Sequence, residues 1–195
     1  MRVFVTGGTG ALGRHLVPGL VAAGHRVTAT TRSPGKVARL REAGAEPVVV
    51  DGLDREGVIA AVVAARPEVI VHQMTALAEM RSLRRLDRVF AATNELRTRG
   101  TDNLLAAAAQ AGTRRVVAQG HNFVYERSGG PVNTEEDPLD SRPIPSAART
   151  WRRSGMWTRP CRSRHRRESC CATAPSTGRA PRIPCWTPCG SGRCR

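Results

Sequence analysis

Near its start the chain reads Thr6-Gly7-Gly8-Thr9-Gly10-Ala11-Leu12-Gly13, and this octet lies between two different hydrophobic patterns. Before it, Arg2–Thr6 is a short apolar run of strand type. After it, Gly10–Ala23 carries Leu12, Leu16, Leu20 and Val21 at helical spacing. Glycines 7, 10 and 13 therefore form G-x-x-G-x-x-G at a strand–turn–helix junction. One glycine permits the tight turn, one lets backbone approach a ligand closely, and the third lets the helix pack on the strand. The free amides and the dipole of the helix N-terminus then favour an anion, and a dinucleotide diphosphate fits there.

The rhythm continues for five strands. Arg26–Thr31 is β-branched, and Pro34–Ala43 reads as a helix ending at Gly44. Glu46–Asp51 holds Val48, Val49 and Val50 as a third strand. Asp54 is placed to cap a helix that runs to Ala65 and stops before Pro67, and Glu68–His72 supplies a fourth strand. Two helices, Ser82–Ala92 and Asn94–Ala111, precede a fifth strand at Arg114–Gln119. Short apolar strands alternating with amphipathic helices predict an α/β fold with a doubly wound parallel sheet, the Rossmann arrangement. Its ligand crevice lies at the carboxyl ends of the strands. From Gly120 the frequency of Gly and Pro predicts a long loop beside that crevice.

The end of the second strand selects the adenosine ribose. An acid there accepts bonds from the ribose hydroxyls of NAD, but this chain has Thr30-Thr31-Arg32-Ser33. A guanidinium beside hydroxyls suits a 2′-phosphate, so the expected cofactor is NADP, with NAD the alternative.

TGGTGALG, the Asp51-Gly52-Leu53-Asp54 turn, VIVHQ after strand four and TNELRTRGTDNLL together resemble the extended short-chain dehydrogenase/reductase family, which includes the NAD-dependent epimerases and dehydratases. The likeness covers Met1 to about Asp140. It implies NAD(P)-dependent oxidoreductase, epimerase or dehydratase chemistry on sugar-like or carbonyl small molecules. It also implies a cofactor site of Gly7, Thr9, Gly10, Ala11, Leu12, Gly13, Arg32, Asp51, Leu53, Gln73 and Asn94. In that likeness Asp51 and Leu53 flank the adenine, His72, Gln73 and Met74 line the nicotinamide side, and Asn94 supports the active site. Taken alone, Asp51 and Asn94 read equally as a turn residue and a helix cap.

The catalytic residues depart from the family, which uses a hydroxyl after strand five and a Tyr four residues before a Lys. Here Gly120 stands in the hydroxyl position, the single Tyr is Tyr125 with Gly129 four residues on, and the single Lys is Lys36. Tyr125 is the one remaining candidate. A non-catalytic dinucleotide-binding sensor is therefore an alternative to an enzyme.

Composition divides the chain near residue 148. Residues 1–148 hold 19 Lys and Arg against 15 Asp and Glu, whereas 149–195 hold 12 Arg against Glu168 alone. The later segment contains all six Cys (161, 170, 171, 185, 189, 194) but no Val, Leu, Phe, Tyr or Asp. The domains expected are thus 1–148, binding the dinucleotide, and 149–195, a basic Cys/Arg-rich tail without a stable core. The cysteine spacings are not those of common zinc sites, so no metal is expected. Nucleic-acid binding through the tail is the weakest of the three function classes.

A shifted reading frame accounts for the tail better. Met156-Trp157-Thr158 fixes ATGTGGAC, whose third-base frame reads Val then Asp. Across Thr150–Cys161 that frame permits LAALGHVDEAV, a helical pattern without a Tyr-x-x-x-Lys. Across Ser169–Pro181 it permits VLRYGSFYGPGT, which resembles the family's sixth strand and following loop. The expected sheet is accordingly truncated after strand five, with its outer edge poorly covered and prone to aggregation. No apolar run approaches the ~20 residues of a membrane span, and the chain opens on a strand-like run rather than a secretory signal, so the cytoplasm is the expected location. The oligomeric state is left open.

Overall fold

The computed structural model describes residues 1–77 and 86–119. The elements are β1 (Arg2–Thr6), α1 (Gly13–Ala22), β2 (Arg26–Thr31), α2 (Val37–Glu42), β3 (Glu46–Val49), α3 (Arg55–Ala65), β4 (Val69–His72), α4 (Leu86–Glu95), α5 (Thr101–Ala111) and β5 (Arg115–Ala118). The five strands form one parallel sheet in the order β3-β2-β1-β4-β5. The doubly wound reading is therefore correct. The reversal of winding lies between β1 and β4, beside the glycine turn.

Strand alternation sends successive side chains to opposite layers. Val3, Val5, Val27 and Ala29 pack with Val17 of α1 and Leu40 of α2 on one face. Phe4 and Ile70 pack with Val58 and Val62 of α3 and Leu104, Ala107 and Ala108 of α5 on the other. Burying Phe4 and Ile70, each at or below 1% exposure, contributes roughly 1.5–3 kcal/mol apiece. The alanines let α3 and α5 approach closely beneath the sheet.

Local signals set several boundaries. Asp54 caps α3 as expected, its Oδ1 accepting the Gly57 amide at 3.1 Å. The helix closes with Arg66 at φ 44°, a left-handed conformation unusual for a side-chain-bearing residue. The Arg66 carbonyl accepts the Arg2 Nε–H at 2.7 Å, which ties this corner to β1. Gly44 takes φ 79° at the end of α2, the left-handed cap that glycine makes without strain.

The helices before β5 differ from expectation. The sequence predicts two, separated near residue 93, but the chain continues from α4 into α5 through a π-helical segment, Leu96–Gly100. Thr93, at the expected break, is fully buried within α4. The Asn94 side chain therefore starts no helix. Residues 82–85 of the first expected helix, Gly120, Tyr125, the long loop and the whole 149–195 tail lie outside the described residues. Among the described residues no helix is long and apolar enough to cross a membrane.

Candidate functional site

The glycine turn sits at the carboxyl end of β1 and is pinned by β2. Thr30 accepts twice: its carbonyl from the Gly8 amide at 3.0 Å, and its Oγ1 from the Gly7 amide at 3.3 Å. The turn closes on itself with Gly10 N–H to Gly7 O at 2.9 Å, and the first bond of α1 runs from Arg14 N–H to Gly10 O. The amides of Ala11, Leu12 and Gly13 thus lie at the helix start, where a helix has no acceptors of its own.

Each glycine of the pattern has a separate steric reason. Gly7 takes φ 73°, and a Cβ there would lie 2.7 Å from the Gln73 carbonyl oxygen. A Cβ on Gly13 would lie 2.3 Å from Gly7 O and 2.6 Å from Gly8 O, so helix and turn touch through backbone. At Gly10 a Cβ would meet only Gly7 O, at 3.1 Å, and would otherwise project into open space. That is a cradle a side chain would fill, and it fits a diphosphate approaching the backbone.

The surrounding residues come from three strand ends. Thr9 Oγ1 and Thr31 Oγ1 are 3.2 Å apart, joining the turn to the end of β2, and Thr31 Oγ1 also accepts the Ser33 amide at 3.2 Å. Arg32, exposed, follows directly. After β3, Asp51 Oδ1 accepts the Leu53 amide at 2.9 Å, so Asp51 shapes its own turn. Gly52 O in that turn accepts Asn103 Nδ2–H at 3.0 Å from α5. The Met74 thioether lies where a Gly52 Cβ would be, with its methyl group against Gly100. No hydrogen bond among the described residues links the Asn94 side chain to the glycine turn. A separate groove of about 690 Å³, lined by Arg2, Arg26, Thr28, Glu46 and Arg66 among others, opens at the amino ends of the strands, away from this site.

β4 ends in a residue whose protonation state is fixed by its surroundings. His72 is 4% exposed; its Nδ1 accepts the Met74 amide at 3.2 Å, leaving Nε2–H to donate to Leu96 O at 3.3 Å. Burial, helped by the charge of Arg97 and opposed by the Leu96 bond, lowers its pKa to about 4. A neutral imidazole thus joins the β4 loop to the π segment. Gln73 is held by its backbone, N–H to Thr6 O at 3.1 Å, yet its Oε1 is buried without a hydrogen-bond partner. An unpaired buried acceptor at a strand's carboxyl end invites a donor from a ligand.

The structure therefore gathers Gly7, Thr9, Gly10, Ala11, Leu12, Gly13, Arg32 and Gln73 around one turn, with Asp51 and Leu53 in the next strand's turn. Sequence reasoning missed Thr30 and Thr31 as fasteners of the turn, Asn103 as the tie to Gly52, and Arg97 beside His72. The sequence reads the threonines as the end of the second strand and part of its ribose-selecting stretch, with nothing local to tie them to the glycine turn. Asn103 stood within a quoted motif whose role was assigned to Asn94.

Comparison with known proteins agrees with this geometry. The chain is 49% identical over 139 residues to a 3-diazoavenalumate denitrifying reductase from Streptomyces sp., covering 71% of this chain and 44% of that protein. It is 34% identical over 145 residues to a 4-hydroxy-2-methyl-3-oxo-4-farnesyl-3,4-dihydroquinoline-1-oxide ketoreductase from Stigmatella aurantiaca, covering 74% and 41%. The UDP-glucose 4-epimerase of Thermus thermophilus, solved as a complex with NAD, superposes with a TM-score of 0.61 at 30% identity, covering 80% of this chain and 48% of that one. The chain thus spans less than half the length of these relatives. A family model described as the NAD dependent epimerase/dehydratase family matches residues 3–149, three quarters of the sequence. On that match and on the sheet and glycine turn that accompany it, the chain belongs to the NAD dependent epimerase/dehydratase family.

Proposed function

We propose that residues 1–148 are the cofactor-binding domain of an NADP-dependent reductase. The observation that carries this is the open glycine cradle at Gly10 facing a β2 end that bears hydroxyls and a guanidinium but no carboxylate. Gly7, Gly10 and Gly13, with the Ala11 and Leu12 amides and Thr9, hold the diphosphate. Arg32 takes the 2′-phosphate. Asp51 and Leu53 border the adenine, Gln73 faces the nicotinamide half, and Asn94 supports the site from α4. When bound, the nicotinamide supplies a hydride. NAD, recorded with the Thermus epimerase, is the weaker ligand in this reading.

The two curated relatives are reductases by name, which favours reduction over epimerisation. Reducing a ketone requires a proton donor, whereas replacing an aryl diazonium group by hydride with release of N2 (ArN2+ + H− → ArH + N2) does not. The sequence has one Tyr and one Lys, Tyr125 and Lys36, and no pair four residues apart. The favoured substrate is accordingly a small molecule carrying a leaving group rather than a ketone, met in the cytoplasm. The missing pair also favours a second reading, a dinucleotide sensor without turnover. Steady hydride transfer to any acceptor would eliminate the sensor.

The proposal treats 149–195 as an out-of-frame product and the chain as catalytically impaired. The composition changes at residue 148, and the family match stops at residue 149. The nucleotide sequence just upstream of the Arg149 codon tests this: a one-base insertion or deletion supports it, and a closed alternative frame refutes it. Cofactor choice is tested with Arg32→Asp. NADPH fluorescence titration should show affinity for NADPH falling at least tenfold while that for NADH holds or rises. Equal losses for both would refute the role of Arg32.

A further inference from the structure

The π segment Leu96–Gly100 interrupts an otherwise continuous helix. Its wider turns shift the i→i−4 pattern and leave carbonyls in need of other donors; such bulges recur at functional sites. Here side chains supply them. His72 Nε2–H donates to Leu96 O at 3.3 Å, Thr101 Oγ1 to Arg97 O at 2.7 Å, and Thr98 Oγ1 to Asn94 O at 2.8 Å and Glu95 O at 3.3 Å. These side-chain hydrogen bonds hold a backbone geometry that helical packing alone does not need.

Arg97 is what that geometry holds in place. One turn to either side on the helix, Thr93 and Thr101 are 0% and 1% exposed, so Arg97 emerges from a face otherwise sealed. It is half-buried, its guanidinium has no hydrogen bond or ion pair among the described residues, and burial lowers its pKa. Its neighbour Arg99 is exposed and paired with Glu95, the ordinary arrangement for a surface arginine. The residue before Arg97, Leu96, is tied to His72 by the 3.3 Å Nε2–H···O bond, which sets the start of the π segment against the carboxyl end of β4, on the ligand side of the sheet. The charge of Arg97 also contributes to lowering the His72 pKa. A desolvated charge without a counter-ion is costly and persists where a ligand completes it.

We propose that Arg97 is a substrate anchor: its guanidinium takes a carboxylate of the substrate in a two-pronged hydrogen bond, and the π segment fixes its position beside the β4 loop. The planar fork of an arginine matches a carboxylate in this way. The assignment rests on the reductase reading, because that reading puts the nicotinamide half at the same loop.

The test uses the full 195-residue chain with and without saturating NADP, titrated with cinnamate and with its neutral counterpart cinnamamide, binding being followed by NMR. The wild-type chain should bind cinnamate at least tenfold more tightly than cinnamamide. Arg97→Met should remove that preference, weakening cinnamate at least tenfold while cinnamamide binding and thermal stability are kept, and Arg97→Lys should retain part of it. The anchor is overturned if wild type shows no preference, if inorganic phosphate competes as well as cinnamate, or if Arg97→Met binds cinnamate normally. A fall in melting temperature with equal loss of both ligands also overturns it, since that is the behaviour of an internal ion pair. If NADP fails to bind but the Arg97-dependent preference persists, the cofactor reading fails and the anchor stands.

Discussion

Acid should destabilise this fold through His72. In the folded chain the imidazole is neutral, with a pKa lowered to about 4 from 6.5 by burial. In the unfolded chain it protonates at the ordinary value. Between these two values the unfolded state binds more protons, so stability falls as pH falls from about 6.5 to about 4 and this contribution is gone below that. A separation of roughly 2.5 units corresponds to about 3 kcal/mol, a large fraction of the ~5–15 kcal/mol of a typical domain. The structural reason is specific. Protonation puts a second donor on Nδ1, where it faces the Met74 amide. Urea unfolding at half-unit steps from pH 7 to pH 4 measures the slope. His72→Asn supplies the control, because burial also raises the pKa of Asp102, and a carboxyl whose folded-state pKa is raised acts in the opposite direction. The slope lost in the variant should approach about 1.4 kcal/mol per pH unit in mid-range. A wild-type slope that the variant reproduces would refute the reasoning.

Three further outcomes follow from particular contacts. Gly13→Ala, whose Cβ would lie 2.3 Å from Gly7 O, should destabilise the fold by about 2 kcal/mol or more and abolish dinucleotide binding, read by thermal denaturation and calorimetry. Asp54→Ala removes the cap on Gly57 and should cost about 1 kcal/mol in urea denaturation without altering cofactor affinity. Gln73→Leu removes a buried unpaired oxygen. It should raise the melting temperature of the cofactor-free chain, by about 1 kcal/mol in stability, while weakening dinucleotide binding; a loss of stability would show that Oε1 is satisfied in solution.

The sheet was legible because its signals are local and repeated. Arg2–Thr6 and Arg26–Thr31 are strands as read, Asp54 is the cap it resembles, and G-x-x-G-x-x-G stands at the strand–turn–helix junction its spacing required. The failure near residue 93 is instructive. Asn94 carries a capping side chain, and a local reading took it as a helix start. Buried Thr93, whose Oγ1 accepts the Ala76 amide at 3.0 Å, instead anchors an unbroken helix to the β4 loop. A π segment leaves no compositional mark, since it depends on donors such as His72 that lie 24 residues away in sequence. Arg97 escaped notice for the same reason. In a chain with 30 Arg, only its burial and the lack of a partner for its guanidinium among the described residues distinguish it from a solvated surface residue.

The central claim is that the first 148 residues bind a nicotinamide dinucleotide phosphate at the glycine turn. Isothermal titration of the 195-residue chain with NADP and with NAD tests it most directly. The account predicts one NADP bound per chain, more tightly than NAD, with binding lost in Gly13→Ala. Tighter binding of NAD, or no heat with either dinucleotide, would contradict it.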